Sequence, residues 1–449
     1  MKSAADEIIS RFPKCKSILA AIVDQNGVLR GKRFPIKNLQ KVLNGSSRLP
    51  LSLCNLDIWG LNIAPPLPDY LAGDRDGDCT WTGRAPMPDT WLEEPSLLVP
   101  LTMSTDQGEP FLGDPRRVLE WVLARYRDTG FTPVAALELE FYLVALKDGK
   151  ATPPHSPKTG EALLPSSALP ISELEQFNAF IDDVYVACEA HDIPLDAAIA
   201  ECGAGQFEIN LLHSEDAMKV ADDAIFFKRL VKNIARKHNL IASFMAKPYP
   251  GQPGSGMHVH FNVQDGKRRN MFANGTPEGS ETLHHALAGM LEAMIPCGLI
   301  FAPHLNSYRR YEVDAHAPTR ANWGFEDRAA AIRVPGGNVD SKRIEHRVAG
   351  ADANPYLVLA AVLSAALSGI SNHKKLEDGG SSITVHDDKA PLLTTDWVES
   401  RRNFIESTIT AECLPAELIE MFSACKHQEI ITFKQHMSNF ELNAYLENT

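Results

Sequence analysis

Two runs of strand-forming residues within positions 17–33 flank Asn26-Gly27, a pair that favours the left-handed backbone of a tight hairpin turn. A small β-rich N-terminal unit is therefore expected. Between residues 65 and 110 the chain is rich in Pro, Gly and Asp with short apolar runs, which predicts loops and short strands. Asp114-Pro115-Arg116-Arg117 then opens a helix, with Asp114 as N-cap, Pro115 at the first helical position, and Val118, Leu119, Val122 and Leu123 at helical spacing. Farther on, strands are predicted at 134–145, 206–212 and 256–263, and helices at 171–191, 214–237, 283–300 and 355–371, with an exposed loop at 151–168. No internal repeat is present. The pattern is α+β, with a sheet carrying the chemistry and helices outside it.

Three polar pairs at spacing two interrupt the apolar pattern of the strands: Glu138 and Glu140, His258 and His260, and Glu345 and Arg347. Alternate residues of a strand share a face, so each pair points one way while Leu139, Val259 and Ile344 point the other. A single such pair is most often just the wet face of a half-buried strand. A fourth site changes the weighing, because Glu201 and Glu208 flank the glycine-containing turn of Glu201-Cys202-Gly203-Ala204-Gly205-Gln206-Phe207-Glu208. Acids spaced by apolar residues or glycines repel one another unless cations neutralise them. Carboxylates with one or two histidines form an oxygen-rich set that suits Mg²⁺ or Mn²⁺ better than structural zinc. Two such ions on phosphate oxygens are a common device for phosphoryl transfer. The chain has neither a G-x-x-x-x-G-K-[ST] loop nor a G-x-G-x-x-G fingerprint, so phosphates must be held by metals and arginines, with Arg309, Arg310, Arg328, Arg333 and Arg347 as candidates. Surface ion pairing is the competing fate of any one of them.

Length and charge narrow the function classes. A chain of 449 residues exceeds what one hydrophobic core usually serves, so a large and a small domain are expected. The net charge of −13 argues against a nucleic-acid partner. The N-terminal residues 1–10 do not read as a secretory signal, and the apolar run 356–370 is too short to span a bilayer and is broken by Ser364 and Ser368. A cytoplasmic protein with no membrane partner is expected, and eight scattered cysteines without a CxxC pair agree with reduced thiols.

Taken in order, residues 24–32, 108–116, Glu138-x-Glu140, 201–208, Phe244-Met245-Ala246-Lys247-Pro248, 254–260, 306–310, 323–333 and 343–356 resemble the glutamine synthetase superfamily over nearly the whole chain. In character the chain is most similar to the branch of γ-glutamyl-polyamine and γ-glutamyl-amine ligases. The resemblance implies an N-terminal β-grasp domain at 1–108 and a catalytic domain at 109–449 with a curved antiparallel sheet flanked by helices. It implies that Glu140, Glu201 and Glu208 hold one metal and Glu138, His258 and Glu345 the other. His260, Asn262, Arg328 and Arg333 would serve ATP, whereas Gly254, Arg310 and Arg347 would serve glutamate. Arg328 and Arg347 would also stabilise the moving phosphoryl group. A homo-oligomer, a hexameric ring or a dodecamer, is implied as well.

Three departures bear on the substrate. Ammonia-using members close the acceptor site with a glutamate in a Glu-Ala-Pro element, where this chain has His316-Ala317-Pro318. The N-terminal Asp-Gly-Ser-Ser element of the ammonium site is missing, and Asp57-Ile58-Trp59-Gly60 is the nearest candidate. Pro253 stands where an asparagine usually precedes Gly254. The expected activity is an ATP-dependent ligase that joins the γ-carboxyl of glutamate to an organic amine, with His316 as an acceptor-site residue that takes up the amine's proton. Glu312 and Asp314 would suit a polyamine, and Trp59, Trp81 and Trp91 an apolar or aromatic amine. An ammonia-dependent glutamine synthetase and a non-catalytic nucleotide or glutamate sensor remain the alternatives.

Overall fold

The computed structural model describes residues 3–64, 73–165, 168–312, 317–376 and 389–449. Among these residues, strands β1 (Ser17–Val23), β2 (Leu29–Pro35), β3 (Ser47–Pro50), β4 (Asp76–Trp81), β5 (Met87–Pro88) and β6 (Ser96–Ser104) form a six-stranded sheet in the order β2-β1-β6-β4-β3, with β5 beside β6. β1 and β2 make the expected hairpin, paired from Ser17 opposite Pro35 to Val23 opposite Leu29, and Gly27 takes φ +75° in its turn. β6 runs parallel to β1 and antiparallel to β4, and all nine of its residues are buried. It lies in the region that the sequence pattern marks as loops and short strands. Pro100, which cannot donate to a ladder, interrupts its apolar run and lowers its strand signal, yet the structure seats it in register with Ala21.

The second sheet comprises, among the described residues, β7 (Thr132–Lys147), β8 (Lys150–Thr152), β9 (Leu195–Ala200), β10 (Gln206–Leu211), β11 (Ile241–Ser243), β12 (Met257–Gln264), β13 (Trp323–Phe325), β14 (Ile332–Val334) and β15 (Ile344–His346). Its order is β13-β14-β15-β12-β7-β10-β9, with β8 and β11 pairing with β7. The pairs are antiparallel except β13 with β14. The sixteen-residue β7 is the spine, and its buried back face presents Leu137, Leu139 and Phe141 to the helices. Phe141 meets Phe207 across the β7–β10 register and reaches Phe227 of the helix Ala217–Lys237. The helix Pro355–Ser371, apolar on every side, is buried from Pro355 to Ile370 within this layer. No helix among the described residues is long and apolar enough to cross a membrane.

The helix Pro115–Asp128 starts as expected, with Asp114 accepting from the Arg116 amide. Two predicted helices are instead broken. Residues 171–191 divide into Ile171–Gln176 and Asn178–Ala190 at Phe177, whose ψ of 17° departs from the helical value. Residues 283–300 divide into Glu281–Met294 and Gly298–Phe301, with Pro296 between them lacking the amide that would continue the ladder. The loop at 151–168 begins with β8 and folds back at His155 opposite Ala162.

A C-terminal helix, Ala416–Gln435, ties the two sheets together. Its Met421 enters the core of the first sheet, and its Lys426 and Glu429 form a fully buried pair at 2.9 Å. Glu429 also accepts from the Ile58 amide at 2.9 Å, and Lys426 donates to Asn26, so the pair fastens the first sheet's loops to this helix. Burial pushes the Glu429 carboxyl up, but the charge of Lys426 and a hydrogen bond from His304 outweigh it and bring it down to about 2. A depressed acid contributes stability above its unfolded value near 4.5 and loses it as pH falls through 2. Glu429→Gln is therefore expected to cost about 3 kcal/mol near neutral pH, with the gap to wild type narrowing below pH 4, as read from urea denaturation across pH. A gap that stays constant down to pH 3 would refute the assignment.

Candidate functional site

The front face of the second sheet gathers polar groups by register. In antiparallel pairs, residues directly opposite share a face. Glu208 stands opposite Glu140, Asn210 and His258 stand opposite Glu138, and His260 and Arg333 stand opposite Glu345. Spacing two on each strand then completes rows of chemistry across β10, β7, β12, β15 and β14. Leu139, Val259 and Ile344 are buried on the reverse side, as the alternation predicts.

The distances define two overlapping groups. Glu138, His258 and Glu345 bring one ligand atom each within 4.8 Å of one another, and so do Glu140, Glu208 and His258. His258 belongs to both, its Nδ1 3.1 Å from Glu138 and its Nε2 3.9 Å from Glu140. Glu201 is in neither group. It precedes the 202–205 turn, with its amide bonded to the Gln206 carbonyl, so turn geometry rather than ladder register sets its position. Its charge still reaches Glu208.

Electrostatics divides the face in two. Burial, followed by the charges of Glu140, Glu138 and Glu201, pushes the Glu208 carboxyl up to about 9, and burial with Glu140 also raises Glu201. On the other side burial again opposes ionisation, but His258 and His260 hold Glu138 well below the usual carboxylate range. His258, Arg347 and His260 likewise bring Glu345 down to about 2. On one half of the face the acids thus have histidine and arginine partners, whereas on the other the charges of Arg328 and Arg347 lower Glu201 less than burial and Glu140 raise it. Hard oxygen donors with one shared imidazole, and surplus negative charge, are what a pair of Mg²⁺ or Mn²⁺ ions requires.

Cationic groups ring this face. Arg333 binds Glu345 at 2.8 Å, with Glu326 3.5 Å away, and Arg347 also binds Glu345. Arg310 donates to the Val348 carbonyl at 2.9 Å. The Nε atoms of Arg310, Arg333 and Arg347 are buried without a partner, as are Oδ1 of Asn210 and of Asn262. Arg328 is exposed at the rim, and its charge is felt at Glu201. Gly254 lies against Arg310, so that a Cβ there would stand 2.5 Å from Arg310 Cγ, and its carbonyl accepts from Gln206 at 3.0 Å. Only glycine admits that approach.

Other expected contributors fall elsewhere. His316 and Asp314 lie outside the described residues. Glu312 is 3.4 Å from Lys247, which leaves it less free for a polyamine ammonium group. Trp81 donates to the Arg84 carbonyl and Trp91 lies under Arg229, so both are engaged in packing. Asp57 accepts from the Trp59 and Leu61 amides and from Gln428, which makes it the brace of its own turn. Pro253 presents its carbonyl to Tyr142 at 2.8 Å. Sequence reasoning missed Arg343, 3.4 Å from His260, and Asn210, although each stands two residues from a glutamate already singled out. The spacing-two rule applied once more would have found both.

A catalytic face of carboxylates, a shared histidine and surrounding arginines, on a sheet backed by helices, defines a class, and the family comparison agrees. The model of the glutamine synthetase catalytic domain matches residues 112–445, and the chain belongs to that family. It is 34% identical over 445 residues to the gamma-glutamylputrescine synthetase PuuA of Escherichia coli, covering 98% of this chain and 93% of that one. It is 32% identical over 444 residues to the glutamate–isopropylamine ligase of a Pseudomonas species, covering 96% and 95%. The fold matches that of GmaS solved as an ADP complex, with a TM-score of 0.84 at 24% identity and full coverage of both chains.

Proposed function

We propose that the protein is an ATP-dependent ligase that joins the γ-carboxyl of glutamate to an organic amine. The observation that carries this reading is the pair of ligand groups sharing His258, encircled by Arg310, Arg333 and Arg347. The full-length similarity to ligases named for putrescine and isopropylamine supports the amine class.

In this reading Glu140, Glu201 and Glu208 hold one divalent ion and Glu138, His258 and Glu345 the other. When bound, the ions supply Lewis-acid stabilisation of the phosphate oxygens. Arg310, Arg347 and the Gly254 backbone seat glutamate. His260, Asn262, Arg328 and Arg333 seat ATP, with the buried free Nε of Arg333 and Oδ1 of Asn262 available to it. A glutamate γ-oxygen displaces ADP from the γ-phosphorus, while Arg328 and Arg347 offset the charge on the moving phosphoryl group. The amine nitrogen then attacks the acyl carbon, His316 takes up its proton, and inorganic phosphate leaves with the bridging oxygen.

That route has an isotopic signature. Glutamate carrying ¹⁸O in both γ-carboxyl oxygens should transfer one ¹⁸O to each phosphate released, as read by mass spectrometry. Phosphate free of ¹⁸O would eliminate the acyl-phosphate route.

The reading further takes residues 1–108 and 109–449 as its two domains, the cytoplasm as its place of action, and a hexameric ring or dodecamer as its assembly, with neither nucleic acid nor membrane as partner. Cyclic closure lets neighbouring subunits share a site. Analytical ultracentrifugation should find a species of six or more chains, whereas an active, monodisperse monomer would contradict the ring.

A further inference from the structure

Within the front face Asn210 is a polar side chain that the ligand assignment above leaves unused. Asn210 stands opposite Glu138 in the β7–β10 register and two residues from Glu208, so its side chain joins the same row. On its other side the β9–β10 register shifts between Ile209 and Leu211, an irregularity of the kind that re-aims a side chain beside a site. Its amide is hydrogen-bonded to Glu208. Its Oδ1 is buried and has no partner.

These observations leave an acceptor facing acceptors. When Glu138, Glu140 and Glu208 are ionised, none of them can donate a proton to Asn210 Oδ1. A buried acceptor without a donor is destabilising, so its place among carboxylates calls for a donor that arrives with the cations. Water bound to a divalent ion is such a donor. An asparagine also suits the place better than an aspartate, which would add another negative charge to a cluster already strained by four glutamates. We infer that Asn210 is a positioning residue of the cation sites: its amide orients Glu208, and its carbonyl oxygen accepts from metal-bound water. The inference rests on the two-cation reading of this face.

The test is calorimetric titration of the full-length, chelator-treated protein with Mn²⁺, accompanied by the electron paramagnetic resonance spectrum of bound Mn²⁺. Asn210→Leu removes donor and acceptor at similar volume, and Asn210→Ala serves where the leucine variant does not fold. Loss of such an outer contact is expected to weaken the Mn²⁺ Kd by about tenfold or more and to alter the spectrum of the ion that remains. A merely structural asparagine would lower the melting temperature without changing either readout. A folded variant that binds Mn²⁺ with a Kd within about twofold of wild type, well below the loss expected for such a contact, overturns the inference. Wild-type protein that binds no Mn²⁺ at all overturns the two-cation reading beneath it.

Discussion

Glu208→Ala is expected to lower ATP turnover by roughly 1,000-fold or more while leaving the protein folded. Glu208 faces Glu140 across the ladder, and its carboxyl is pushed up to about 9, first by burial and then by Glu140, Glu138 and Glu201. A raised acid gives the fold a contribution that is present below its unfolded value near 4.5 and is lost as pH rises through 9. Metal-free wild type should therefore melt at lower temperature at pH 9 than at pH 6, and the alanine variant should show a smaller decline, because it no longer carries that charge. Chelation of wild type should reproduce the loss of turnover. Wild-type rates in Glu208→Ala, or in excess chelator, would show that the carboxylate face does not work through cations.

Discrimination between amines is the second large effect. An ammonium ion needs anionic groups to offset its dehydration, and the resemblance to ammonia-using members implies a glutamate for that purpose where this chain has His316. The other candidate for an anionic contact, Asp57, is occupied by the Trp59 and Leu61 amides and by Gln428. A neutral imidazole attracts no cation, and its protonated form repels one. An organic amine instead gains about 0.8 kcal/mol for each methylene it buries. About three to four methylenes suffice for ~100-fold, so kcat/KM for ammonium should lie at least ~100-fold below that of the best organic amine. His316→Glu should narrow the gap by raising ammonium use. Equal use of ammonium and of every organic amine in a panel would return the protein to the ammonia-dependent class.

Local signals in the sequence carried much of the fold. Asn26-Gly27 announced the first hairpin, Asp114-Pro115 the start of a helix, and the alternation around Glu138, His258 and Glu345 the polar face of the second sheet. What stayed hidden depends on partners distant in the chain. Pro100 masks a central strand whose place is secured by β1 and β4 on either side. The β7–β10 and β7–β12 registers, which spacing on one strand cannot reveal, decide that His258 serves both ligand groups and that Asn210 enters the row. Glu201 shows the converse, since a turn rather than a ladder positions it, and spacing along one strand does not describe a turn.

The most direct test follows phosphate release and product mass together, in reactions that contain ATP, Mg²⁺ or Mn²⁺, glutamate and one amine at a time, including putrescine, short alkylamines, an aromatic amine and ammonium. Phosphate should appear at an appreciable rate only when glutamate and an organic amine are both present. A product with the mass of glutamate plus that amine less one water should form in equal amount. Phosphate release that proceeds without any amine, or a product limited to glutamine, would contradict a glutamate–amine ligase.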